Sequence, residues 1–121
     1  MDAASFEAVV VAALDELPAE FARYLENVEI LVQYRPLREH RRAAGIRPWQ
    51  ALYGLYQGVP LTDRTGDMLI APDTITIFRE PLTRDFLTRS ELRAQIRRTV
   101  LHEIAHVFGI SDERLDELDA Y

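Results

Sequence analysis

His102-Glu103-Ile104-Ala105-His106-Val107-Phe108-Gly109-Ile110-Ser111-Asp112 carries more chemical information than any other stretch of this 121-residue chain. In a helix each residue advances about 100°, so His102 and His106 stand one turn and about 40° apart. Two imidazoles so placed can converge on one metal ion. Glu103 lies on the same side, about 60° beyond His106. Its carboxylate can reach a water beside the ion without binding the ion itself. Two ligands and a general base on one helical turn are what hydrolytic zinc chemistry requires.

A catalytic zinc site needs a third protein ligand and one open position. Gly109 can take a positive φ, end the helix and turn the chain back. Asp112 would then supply an oxygen ligand, with Glu113, Asp116 and Glu117 as weaker substitutes. The competing reading makes Asp112 the N-cap of a last helix. A zinc ion in such a site lowers the pKa of its water to about 7 and polarises a carbonyl group. Glu103 takes the water's proton and passes it to the leaving amine. Tyr53, Tyr56, Tyr121 or an arginine could donate to the oxyanion, although packing or surface placement is the commoner role of each.

The flanking pattern places this motif on a long helix. Thr88 and Glu91 stand three apart, as in a capping box, and the helix is expected to run to about Phe108. Ile96, Val100, Ile104, Val107 and Phe108 form the stripe predicted to face the core. Gln95 and Thr99 share the histidine arc. A short helix over about 112–118 is expected to follow.

Upstream, Ser5 is the predicted N-cap of a helix whose apolar positions are Phe6, Val9, Val10, Ala13, Leu14 and Leu17. Pro18 breaks it, and Phe21, Tyr24 and Leu25 indicate a second short helix. Val28 to Tyr34 alternates as a strand, with Val28, Ile30, Val32 and Tyr34 on one face. Leu31 makes the other face partly apolar. Residues 36–45 read as a helical or irregular connection. Leu52 to Gln57 and Met68 to Ala71 read as strands, and Val59 to Gly66 as a loop. Thr74 to Arg79 is a further strand, ended by Pro81. As a sheet edge beside the cleft, it could pair with an extended peptide. The fold class is therefore α+β, a small sheet packed by helices, in one domain over 1–121.

Composition sets the outer bounds. The chain has no cysteine, which excludes disulfides and thiolate zinc sites. Its net charge of −6 disfavours nucleic acid as a partner. The first basic residue is Arg23, and the apolar run Ala8 to Leu14 is too short to span a bilayer. A cytoplasmic location without membrane attachment is the expectation. All fourteen basic residues are arginine. The cluster Arg35, Arg38, His40, Arg41, Arg42 and Arg47 reads first as a solvated face and second as a site for an anion or acidic partner.

At Leu52 to Leu61, Asp73 to Leu82 and Arg97 to Leu118 the chain resembles the small bacterial zincin-like metallopeptidase family. These blocks cover roughly half of it, and the last is the most specific. The resemblance implies a minimal zincin fold, one Zn2+ held by His102, His106 and Asp112, and Glu103 as catalytic base. It implies a peptide or protein substrate. The spacing His-Glu-x-x-His-x-x-Gly-x-x-Asp also resembles the metzincin motif, with an aspartate in place of the usual third histidine, as in snapalysin-type proteases. Met1 and Met68 both precede the motif, so the methionine turn of metzincins has no counterpart. Fifteen residues follow His106, too few for the second subdomain of a large zincin. Two alternatives to a narrow-substrate peptidase follow. One is a catalytically weak, metal-stabilised binding or regulatory module. The other is a non-peptide amide hydrolase, which a deep enclosed pocket would favour.

Overall fold

A computed structural model describes residues 1–58 and 72–119. The strand and loop expected over 59–71 lie outside the described residues, as does Tyr121. The elements are α1 (Ala3–Asp15), a 3-10 helix (Ala19–Leu25), β1 (Val28–Gln33), α2 (Arg38–Ala44), β2 (Gly54–Gln57), β3 (Asp73–Phe78), α3 (Arg79–Asp85), α4 (Arg89–Phe108) and α5 (Asp112–Asp119). Among the described residues no helix is long and apolar enough to cross a membrane.

The architecture is α+β. Among the described residues three strands form a mixed sheet in the order β1-β3-β2, with β1 parallel and β2 antiparallel to β3. The strand over 74–79 is therefore the central strand, paired on both sides, and not an edge for a peptide. Its composition gives the reason. Ile75, Thr76, Ile77 and Phe78 are all buried, and a strand covered on both faces belongs in the middle of a sheet. Arg79 begins α3 instead of ending the strand. Pro81 sits in the first turn of α3, where its missing N–H removes no intrahelical bond.

Ile75 and Ile77 point into the main core, where they meet Phe6, Val9, Val10 and Ala13 of α1, Phe21, and Leu92, Ile96, Val100, Leu101 and Ile104 of α4. Each such side chain contributes about 1.5–3 kcal/mol on leaving water. Phe78 points the other way into a smaller cluster with Leu52 and Leu55, against which Ala44 and Ile46 pack. His40 lies on that side too. It is buried, its ring 5.0 Å from that of Phe78, and its Nδ1 accepts from the Leu37 N–H at 2.9 Å. The histidine of the basic cluster thus belongs to neither a solvated face nor an anion site.

Several local expectations change. Asp2, not Ser5, caps α1: its carboxylate accepts from the Ser5 N–H at 2.8 Å. Tyr34 falls beyond β1 and is 53% exposed, its ring under the Arg79 and Arg35 guanidinium groups. Residues 38–44 form a helix ended by Gly45 at φ 66°. Val107 and Phe108 are exposed rather than part of the core stripe. The last turn of α4 overshoots the layer of core side chains. Phe108 is met there by the rings of Tyr24 at 4.7 Å and Tyr56 at 6.1 Å.

Candidate metal centre

The motif helix begins as expected. Thr88 Oγ1 accepts from the Glu91 N–H at 3.1 Å and α4 runs to Phe108. Gly109, at φ 70°, closes it and donates its N–H to the Ala105 carbonyl. The chain then reverses into α5.

Ser111 caps α5. Its Oγ accepts from the Arg114 N–H at 3.1 Å, and its carbonyl accepts from the Leu115 N–H at 2.9 Å. Asp112 is the first helical residue, so the capping reading of Asp112 is displaced by its neighbour. A serine before an acidic first turn is itself a cap signal. Asp112 is exposed, and its side chain makes no hydrogen bond or ion pair with a described residue.

His102, His106 and Asp112 line one pocket of about 370 Å³, together with Ala105, Gly109, Ile110 and Leu115. Both histidines are exposed, and neither has a hydrogen-bond partner among the described residues. No three His, Asp or Glu side chains among the described residues stand close enough together to hold an ion. The three share a pocket but are not gathered to a point. Two imidazoles and a carboxylate suit zinc with one position left open. The donor types fit that ion, and the three exposed side chains have no competing partners among the described residues. In the weaker substitutes, Glu117 is engaged at 2.8 Å by Arg114, while Glu113 and Asp116 do not line this pocket.

Glu103 does not line that pocket; its carboxylate is held against β2. Its Oε1 accepts from the Tyr56 N–H at 2.8 Å. It lines a pocket on each side: one of about 300 Å³ with His106, Val107, Leu55, Ile46 and Ala43, and one of about 270 Å³ with His102, Tyr53, Gln95, Arg98 and Thr99. The two meet at Gly54 and Glu103. The Tyr56 backbone donor was not readable in the sequence, because every residue but proline carries the same N–H.

What lets β2 come so close is Gly54. A β-carbon there would lie 2.7 Å from Thr99 Cγ2 and 3.3 Å from the Thr76 carbonyl. Thr99, on the histidine arc, is buried against β2, with Gln95 Nε2 donating to its hydroxyl at 3.2 Å. The Gly54 and Gly58 pair flanking an apolar strand was the available signal for a close backbone approach.

Both described tyrosines proposed for the oxyanion are already engaged. Tyr56 donates to Asp73 at 2.5 Å. Tyr53 donates to Asp85 at 2.6 Å and packs edge-on against Phe86. Burial, reinforced by the Asp85 carboxylate, pushes the Tyr53 phenol up to about 12. Hydrogen bonds from Arg84 and then Tyr53 hold Asp85 below the usual carboxylate range.

A family model described as zincin-like metallopeptidase matches residues 25–121. No curated protein matches the chain.

Proposed function

Because the chain belongs to the zincin-like metallopeptidase family, we propose that it hydrolyses peptide bonds with zinc held by His102, His106 and Asp112 and with Glu103 as general base. The observation that carries this reading is the shared pocket of three side chains that have no other polar partner among the described residues. When bound, zinc supplies Lewis-acid polarisation of the substrate carbonyl and a more acidic water.

The remaining work falls to the chain itself. Glu103 accepts a proton from the attacking water as oxygen adds to the carbonyl carbon. It delivers that proton to the amine nitrogen as the C–N bond breaks. The Tyr56 N–H steadies the carboxylate in the meantime, since a bond to an ionised acceptor is stronger than a neutral one. Tyr53 keeps its proton across the physiological range, because its phenol titrates only near 12.

The shape around Glu103 favours an extended peptide over a compact amide. Two pockets that share Glu103 and Gly54 in their lining adjoin it, an arrangement that accepts chain on both sides of a scissile bond.

Elemental analysis of protein purified without chelator or a histidine tag tests the ligands. The expectation is near-stoichiometric zinc, lost in His102→Ala/His106→Ala. Glu103→Gln should keep the metal and lose at least about 100-fold in peptide hydrolysis, the usual scale of a general base. Protein that takes up no zinc at neutral pH, or a Glu103→Gln variant as fast as wild type, would overturn the assignment.

A further inference from the structure

The segment 35–47 carries Arg35, Arg38, Arg41, Arg42 and Arg47 but one acidic residue, Glu39. None of these arginines forms an ion pair with a described residue. Five positive charges with no carboxylate partner among the described residues stand together in a chain whose net charge is −6. Such a cluster repels itself and attracts anions.

The loop that follows is firmly held. Arg41 Nη2 donates to the carbonyls of Arg47, Pro48 and Gln50 at 2.9, 2.8 and 2.6 Å. Gln50 closes the turn twice: its N–H donates to the Arg47 carbonyl at 3.0 Å, and its Oε1 accepts from the Arg47 N–H at 2.8 Å. What this pinned loop presents is Trp49, 75% exposed and with the Arg47 guanidinium 5.5 Å from its ring. A large aromatic held in water on an ordered loop is preorganised for contact, and Trp and Arg dominate the energetics of protein interfaces.

Between this loop and the start of α3 lies a cleft of about 240 Å³, lined among others by Arg35, Arg41, Trp49, Glu80 and Arg84. Arg84 lies 3.9 Å from Glu80 and is bonded to Asp85 at 2.9 Å, so its positive charge is taken up by carboxylates of its own helix. Arg35 and Arg41 have no carboxylate partner among the described residues. Leu52 borders both this cleft and the pocket of Glu103 and His106.

We propose that the cleft docks an acidic peptide segment, with carboxylates against Arg35 and Arg41 and an apolar side chain on the Trp49 indole. The surface uses no residue of the metal centre, so the inference stands apart from hydrolysis. A nucleic-acid occupant is disfavoured by the overall negative charge.

Trp49 is the only tryptophan of the chain, so its emission reports on the cleft directly. The full chain is titrated with the blocked peptide acetyl-Glu-Glu-Leu-Glu-Glu-amide, beside its all-glutamine and all-lysine counterparts. A saturable blue shift is expected with the glutamate peptide alone. Arg35→Glu should weaken binding at least about fivefold, and raising salt to about 0.5 M should weaken it as well. Calorimetric titration of Trp49→Ala, which needs no fluorophore, should show a loss of at least about tenfold against wild type. Failure to bind at millimolar peptide, equal binding of the glutamine or lysine peptide, or tighter binding of a single-stranded oligonucleotide would each overturn the proposal.

Discussion

At Gly54 the missing β-carbon is what brings the sheet onto the motif helix. Alanine there would press its methyl to 2.7 Å from Thr99 Cγ2 and 3.3 Å from the Thr76 carbonyl oxygen. Backbone cannot yield as a flexible side chain does. Gly54→Ala is therefore expected to cost about 1–3 kcal/mol in denaturant unfolding, and to lower hydrolysis by parting Glu103 from the Tyr56 N–H. Tyr53 supports a second test at this scale. Its phenol lies above the unfolded value of 10, at about 12. The stability it adds is complete below pH 10 and lost as pH rises through about 12. In Asp85→Asn the phenol should ionise at lower pH, visible in the ultraviolet absorbance of phenolate. An unchanged titration would mean that burial alone holds it up. Of the candidate site, the relative placement of His102, Glu103 and His106 on α4 was legible because the helical period fixes their angles. The direction of the Glu103 carboxylate was not, because it depends on a strand almost fifty positions earlier in the chain.

At the level of elements, the turn from α4 into α5 separates two roles that neighbouring residues could have shared. Ser111 caps α5 and Asp112 is left facing the histidine pocket. Ser111→Ala should therefore lose about 1 kcal/mol of stability and keep its zinc affinity. Asp112→Ala should do the reverse, keeping its unfolding midpoint and binding zinc more weakly. If both variants lose only stability, the third ligand lies elsewhere. Gly109 has nothing within 4 Å of where a β-carbon would sit, so Gly109→Ala tests backbone strain alone. The expected loss is about 1 kcal/mol, the usual penalty of a left-handed alanine. Helices with clear periods were legible: α1, α4 and α5 run close to their expected bounds, although Asp2 and Ser111 cap the first and the last. The seven-residue α3 was not, because a proline in the first turn reads as an end to a strand as readily as a start to a helix.

Over the whole molecule, the motif helix is both the centre of the core and the wall of the site. Ile96, Val100, Leu101 and Ile104 are fully buried against α1 and the sheet, while His102 and His106 on the same turns are exposed. Ile104→Ala should cost about 2–5 kcal/mol, a large share of the stability of a small domain. Saturating zinc should raise the melting temperature of wild type by mass action and leave that of His102→Ala/His106→Ala unmoved. A similar shift in both would place the ion elsewhere. The chain alone determined what depends on neighbours a few positions apart: helical spacing of the histidines, the Thr88 cap, the Gly109 stop, and the alternation that makes β1 a strand. Only the tertiary structure decided the strand order β1-β3-β2, the burial of His40 and Thr99 and the Tyr56 N–H on Glu103. Local periodicity fixes which face of an element is apolar. Which partner covers that face, and which backbone group meets a given side chain, is set by packing between segments far apart in the chain.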